Sequence, residues 1–518
     1  MKVRFLTLAV LILSPAGQAL AALSVLPDQN PVLASANADP AVEARKAFAE
    51  GRHAKAVEIA TPLAEQGNNE AIFLLGLANE TGQGTVASRE KALELYRKAA
   101  GNQHKEAAYR LAGMLVATKN AKDRDEAVKA LEAAAKDDPA NAGRLLGQGY
   151  VSGELSEKPD ADKALFWWRR ASDAGNIEAM TLMGRFFEGQ LGFPERRNPE
   201  DALVHYAKAA GLGHAPSMVI VGSRMLSGDP KVRDEKQGRE WLRKAVAAKD
   251  YSACLVLGDY DEFQKKDLKS ALVEYERGKD GGQIDCMLRA GMFYIEGKGV
   301  EKDVERGMAL VRKAAESGHP EAHLRLAASF LGSEKPSQGD TLAGYGHLVA
   351  AASGGNPTAQ NELGLLYLSG RMGARDNAAA VSWLTNAARA GNAKAQNNLA
   401  QIFQMGIPGT APNIDNAVQL YTLSANQGHG PAILALARLQ LMGVGVKADP
   451  PKAWALATLA GEAGEKDAEA LVKEIELKFT DKQRAEARKQ LEEFRAGKPA
   501  AKPASKPTFD GSGAPRGR

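Results

Sequence analysis

The stretch Asp285–Ala322, DCMLRAGMFYIEGKGVEKDVERGMALVRKAAESGHPEA, decides the fold. Ala290, Gly291, Tyr294 and Ile295 fall near one face at helical spacing, which predicts a first amphipathic helix. Gly297-Lys298-Gly299 ends it, because glycine tolerates the positive φ of a tight turn. Asp303 is placed to cap a second helix, whose Gly307, Leu310, Val311, Ala314 and Ala315 recur at steps of three and four. Gly318 closes that helix and His319-Pro320 opens the next unit. Neither helix alone buries its apolar face, so such units must stack.

Versions of this unit fill most of the chain. A small residue five positions before a glycine, or its equivalent, marks the register at Ala71, Ala108, Ala142, Ala179, Ser217, Ala253, Cys286, Ala322, Ala359, Ala395, Ala432 and Ala468. The steps run from 33 to 38 residues. So steady a period predicts an all-α fold, an α-solenoid of antiparallel helix pairs repeating about every 36 residues. Several units depart from the pattern: VATKNAKDRDEA after Met114, DYDEFQKKDLKSA after Gly258 and FLGSEKPSQGDTLA after Ser329 lack the Gly-x-Gly turn. Changed local curvature is expected there, and Phe193-Pro194 sits in a lengthened turn.

The segments EAIFLLG…GQGTVASREKALELYRKAAG, EAMTLMG…DALVHYAKAAGLGHA and TAQNELGLLYLSG…AVSWLTNAARAGNAKA resemble Sel-one-like repeats (SLR), a variant of the tetratricopeptide repeat (TPR). The resemblance implies a right-handed superhelix with a concave inner surface. It also implies adaptor and assembly roles, many of them in bacterial envelopes and secretion.

Before and after the repeats the pattern changes. Lys2 and Arg4 precede the apolar run Phe5–Leu13, broken only by Thr7; Pro15 and Gly17 lead to the small-residue site Ala19-Leu20-Ala21. This reads as a signal peptide over 1–21 and predicts an exported protein, periplasmic or secreted. A membrane span needs roughly 20 apolar residues, about twice this run. Residues 22–40 read as a flexible leader, 41–475 as the solenoid (about eleven repeats plus a half-unit), and 476–496 as a capping helix started by Thr480 and closed over the last unit by Leu491 and Phe494. The basic Pro/Gly-rich tail 497–518 has the composition of a disordered segment.

Composition bounds the function. A 44% hydrophobic and 25% charged content is that of a folded soluble protein, and a net charge of +4 is too small for a dedicated nucleic-acid binder. Gly82-Gln83-Gly84, Gly297-Lys298-Gly299 and Gly443-Val444-Gly445 follow helices rather than strands, so they are inter-helix turns and not phosphate loops. Ser88-Arg89-Glu90-Lys91 has the Ser-x-x-Lys spacing of penicillin-interacting enzymes, but the partner motifs Ser-Asp-Asn and Lys-Thr-Gly do not occur; Ser88 sits where a cap is wanted. Some cysteine-rich members of the family are tied to β-lactams, yet they carry paired cysteines in each unit and this chain has only Cys254 and Cys286. Those two occupy equivalent places in adjacent units. Two readings stay open for them: a disulfide, which an exporting compartment would permit, or two thiols filling small slots. His319 and His323 are four apart, but Gly-His opens other units and no third ligand is near, so no metal and no cofactor is assigned.

Two surface features exceed the repeat's needs. A basic column runs along the second helices: Arg97-Lys98, Arg169-Arg170, Lys208, Arg243-Lys244, Arg277 and Arg312-Lys313. It suits an acidic partner or an acidic polysaccharide; the plainer reading is a solvated face balanced by acids such as Glu94 and Glu240. Phe166, in KALFWWRRAS, stands where other units hold Glu94 and Gln419, beside Arg169 and Arg170, a hot-spot composition. Packing against a neighbouring helix is its plainer explanation. The sequence therefore reads as a non-enzymatic periplasmic scaffold for protein partners from envelope or secretion machinery, in envelope assembly or exopolysaccharide export. A cell-wall or β-lactam-directed hydrolase and a direct glycan-binding protein are the alternatives.

Overall fold

The computed structural model describes residues 41–497 other than Asp229, Lys231, Ser333 and Met372. The signal-peptide and leader readings, and nearly all of the basic tail, lie outside the described residues. The described chain is helical, with an isolated bridge between Ile407 and Thr410 as its one β feature among the described residues. It forms two compact units divided after Tyr260.

In the first unit, helices Val42–Ala49 and His53–Glu65 lead into consecutive pairs. These are Asn69–Thr81 with Arg89–Gly101, Lys105–Val116 with Ala121–Ala134, Pro139–Ser152 with Ala161–Asp173, Ile177–Phe187 with Pro199–Gly211, and Ala215–Ser227 with Glu235–Ala247. In the second unit, pairs such as Ile284–Glu296 with Val304–Glu316 continue to Gly430–Met442 with Pro450–Glu462, followed by Ala468–Glu476 and Asp481–Arg495. Within each unit consecutive helices pack on one another, as an α-solenoid requires, and at the end Ala468–Glu476 and Asp481–Arg495 both pack on Pro450–Glu462. Thr480 caps the last helix with a full capping box, and Leu491 and Phe494 lie against the apolar interior of the preceding repeats.

In many pairs a glycine in the first helix admits a large side chain from the second, whereas Ala112, Ala327, Ala400 and Ala437 stand at that position in the others. A Cβ on Gly76 would stand 2.7 Å from the Tyr96 ring, one on Gly147 2.3 Å from Trp168, one on Gly184 2.7 Å from Tyr206, and one on Gly222 2.6 Å from Leu242. In the second unit Gly364 takes Leu384 the same way, at 2.8 Å. At Gly291 and Gly307 the two helix backbones themselves meet, each glycine's absent Cβ lying within 3 Å of the other's carbonyl oxygen. Tyr96, Trp168, Leu242 and Leu384 are consequently sealed from solvent.

Where the anchor is tyrosine, its hydroxyl finds a fixed acceptor: Tyr96 donates to Glu80 at 2.6 Å, Tyr206 to Glu188 at 3.2 Å, Tyr275 to Glu262 at 2.8 Å and Tyr421 to Gln404 at 2.8 Å. Burial pushes the Tyr421 hydroxyl up to about 12, so it stays protonated and donating. Trp168 has Val151 in that register, and its indole N–H is buried without an acceptor. Helix starts are set by side-chain caps; Asp303 accepts from the Arg306 N–H at 2.9 Å. The hydroxyl of Ser88 accepts from the N–H of Lys91 at 3.3 Å, so the Ser-x-x-Lys spacing is a cap and its first residue. In the second repeat the register mark is Ala107 rather than Ala108: its N–H bonds to the capping His104, as that of Ala71 does to Asn68.

Substituting Gly147→Ala is expected to destabilise the first unit by about 1–3 kcal/mol, because the new methyl must displace the Trp168 indole. Gly101→Ala, in a helix end with nothing within 4 Å, is expected to be neutral or stabilising by about 0.5–1 kcal/mol. Urea unfolding of the two variants beside the parent checks both signs.

Candidate interaction surface

The second helix Ala161–Asp173 turns Ala164, Leu165, Trp167, Trp168 and Ala171 inward, and this leaves Phe166, Arg169 and Arg170 outside. Phe166 is 53% exposed, a large ring left in water. It meets Trp167 edge-on at 5.1 Å, and the Arg170 guanidinium lies over both rings, 5.8 Å from Phe166 and 5.1 Å from Trp167. Arg169 and Arg170 have no carboxylate at ion-pair distance among the described residues.

The next second helix, Pro199–Gly211, extends this surface. Val204 stands two residues before the anchor Tyr206, as Phe166 does before Trp168, and is also 53% exposed. His205 stacks on Phe187 at 5.5 Å. Burial lowers its pKa below the ordinary 6.5, and the charges of Lys208 and Arg169 lower it further against the opposing Asp201. In some other repeats the equivalent position holds an acid, Glu94 or Glu240, three and four residues before Arg97-Lys98 and Arg243-Lys244, where it can offset the cations; Val273, two before Tyr275, is also apolar and 56% exposed, but Arg277 beside it is paired with Glu274. At Phe166 and Val204 that acid is replaced by an apolar side chain twice running.

The remaining basic positions are exposed but differently engaged. Arg97 makes two bonds to Glu126, at 2.7 and 3.0 Å. Lys244 lies over the Trp241 ring at 4.5 Å, and Arg277 bonds to Glu274 at 3.0 Å within its own helix. Lys98, Arg243, Arg312 and Lys313 point to solvent. So the column is a set of separate sites, and the cationic groups that join an apolar patch are those of the Phe166 region.

Other singled-out residues resolve into structure. His319 Nδ1 accepts from the Ala322 N–H at 3.3 Å and its Nε2 meets Asp285 at 3.0 Å, so it caps a helix and is not paired with His323. His323 instead faces His347, their Nδ1 atoms 3.0 Å apart. Cys254 and Cys286 are both fully buried, the first in the first unit and the second in the second. Sequence reasoning missed Val204 and His347. Aligning residues on Trp168 and Tyr206 would have found Val204; His347 had no local signal, because its partner is a turn away in the chain.

Described together, these units are an α-solenoid of short helix pairs, the architecture of helical-repeat interaction proteins. The Sel1 repeat matches at residues 69–104, 142–176, 177–214, 215–250, 284–319, 357–392, 393–429 and 430–465, more than half of the chain, and the chain belongs to that family. Sel1 repeats mediate protein–protein interaction, and their solenoid is in general a non-catalytic scaffold. Among curated proteins, the chitin synthase regulator SKT5 of Saccharomyces cerevisiae is 29% identical over 269 residues, 49% of this chain and 38% of that protein. Chitin synthase regulatory factor 3 of Schizosaccharomyces pombe is 25% identical over 279 residues, 51% and 30% of the two chains. An uncharacterized protein of Neisseria meningitidis is 25% identical over 301 residues, 54% and 62%. This chain thus spans less than two thirds of each of these relatives. Of solved structures, the SLR-fold protective antigen c5321 of uropathogenic Escherichia coli is 24% identical, covering 86% of this chain and 95% of that one, with a TM-score of 0.48. A Sel1 repeat protein of Oxalobacter formigenes is 24% identical, covering 67% and 90%, with a TM-score of 0.43. No described helix is long and apolar enough to cross a membrane.

Three buried or half-buried histidines, His205, His323 and His429, have pKa values lowered chiefly by burial. The unfolded chain takes up protons near the ordinary 6.5 while the folded chain resists, so stability is complete above that pH and falls as pH drops below it. Melting temperatures followed from pH 7.5 to 5 are expected to decline, and His205→Gln to flatten the decline.

Proposed function

We propose that this chain is an exported, non-enzymatic scaffold that docks an acidic segment of a protein partner on the surface built by Phe166, Arg169, Arg170, Val204 and Lys208. The carrying observation is the repeated loss of the compensating acid: two adjacent second helices expose an apolar side chain beside cations that have no carboxylate of their own. Leaving a 53% exposed phenylalanine in water is unfavourable, and a partner that covers it gains both apolar burial and charge pairing. An apolar anchor flanked by aspartate or glutamate is the matching chemistry.

A protein partner is favoured over a sugar chain because glycans stack on open aromatic rings, and all five tryptophans and eleven tyrosines of the chain are buried or half-buried. The names of the fungal relatives, which refer to regulation of a chitin synthase, support a role in controlling another enzyme by docking. Envelope assembly or exopolysaccharide export is the setting we propose, resting on the pattern Lys2, Arg4, Phe5–Leu13 and Ala19-Leu20-Ala21. Protein released by osmotic shock should begin just after Ala21 or Ala22; a cytosolic full-length chain would contradict export.

Peptides selected against the purified chain are expected to carry acids around an apolar residue and to weaken as salt rises. Phe166→Ala combined with Arg169→Glu and Arg170→Glu should lower their affinity at least about ten-fold, whereas Arg312→Glu with Lys313→Glu should leave it unchanged. Equal binding by the triple variant, or selective binding of an acidic polysaccharide in place of peptides, would reject this surface as a protein-docking site.

A further inference from the structure

We propose that His323 and His347 form a two-imidazole site for a divalent transition-metal ion, with copper(II) the ion their geometry fits best. His323 lies on the first helix of its repeat, Pro320–Leu331, and His347 on the second, Gln338–Ser353. Their Nδ1 atoms face each other at 3.0 Å and their ring centroids are 5.2 Å apart. Phe330 stacks on His347 at 5.7 Å with the planes 8° apart, which restrains that ring from one side. Both imidazoles are half-buried, so one side of the pair remains open to solvent.

Imidazole nitrogens bind these metals at about 2.0–2.1 Å. Two nitrogens 3.0 Å apart therefore subtend close to a right angle at a shared ion. A tetrahedral zinc centre would spread them to roughly 3.3 Å, whereas adjacent corners of a tetragonal copper(II) centre need no spreading, and copper also heads the affinity order for nitrogen ligands. In the metal-free pair one Nδ1–H bridges to the other Nδ1. On metal entry that proton moves to an Nε2, both Nδ1 lone pairs turn to the ion, and water completes the coordination. His, Cys, Asp and Glu form no group of three around an ion among the described residues, so the two imidazoles are the protein's whole contribution. His319 is outside the site, engaged with Asp285 and its own helix start.

The full chain, stripped of metal, is titrated with copper(II) at neutral pH and followed by calorimetry and electron paramagnetic resonance. The expected result is one equivalent with two-nitrogen hyperfine coupling, bound more tightly than zinc. His323→Gln and His347→Gln should each weaken it at least ten-fold, and His319→Gln should not. Retention of that equivalent by the double variant, or tighter binding of zinc, overturns the proposal. Since either variant could loosen the repeat, the parent chain supplies a second reading. Substoichiometric copper should broaden two histidine ring signals first, and uniform broadening of all eight histidines would overturn the assignment.

Discussion

Many of the helix pairs depend on a large side chain of one helix entering the gap left by a missing methyl on its partner. Gly147 against Trp168 shows the constraint at its tightest: a Cβ there would sit 2.3 Å from the indole, well inside any real contact. Gly76 with Tyr96 and Gly184 with Tyr206 repeat it, and each tyrosine adds a hydroxyl bonded to a carboxylate of the same pair. The slot fixes the approach of the two helices and hence the face each pair offers to the next. It also explains a core of few rings and many alanines: large anchors are needed once per pair, and small residues elsewhere let the helices close up.

The inter-helix turn applies a second constraint. Gly82 and Gly297 adopt left-handed backbone at the end of a first helix, with φ of 73° and 72°. Gly84 and Gly299 are left-handed too, at φ of 79° and 65°, and in addition press on the preceding second helix, where a Cβ would meet the His53 carbonyl oxygen at 2.4 Å and that of Leu268 at 2.7 Å. The units without this motif solve the turn in other ways: Lys119 and Lys266 take the left-handed conformation at φ of 57° and 58°, and a π-helical turn covers Tyr260–Lys265. The Sel1 repeat does not match at 105–141, 251–283 and 320–356, yet helices form there as elsewhere. A repeat can thus lose its turn signature while its packing persists.

Most of the architecture was legible because period, caps and turn glycines are local. Asp303, Ser88, Gly297 and Thr480 act through residues a few positions away, and the sequence displays both halves of each interaction. The one-residue shift of the mark to Ala107 went unseen because Ala107 and Ala108 are both small and only the His104 cap distinguishes them. Phe166 could be singled out as an aromatic where a repeat normally keeps a polar residue. Its extension through Val204 was not apparent, since valine is unremarkable until the second helices are superposed on their anchors. The meeting of His323 and His347 was less visible still, because no spacing rule joins a first helix to a second across a turn that lacks its glycines.

Function in such a chain is a departure from the repeat. The anchors and caps are spent on stacking, so the proposed recognition surface uses positions the stack does not constrain, exposed on the second helices. The account's central claim is that close helix packing persists in the repeats whose turns have diverged, with alanine in place of the slot glycine at Ala112 and Ala327. Amide hydrogen exchange over 105–134 and 320–353 tests it most directly. Protection of these helices comparable with that of 69–101 and 284–316 is the expected result; exchange at the rate of open loops would contradict it.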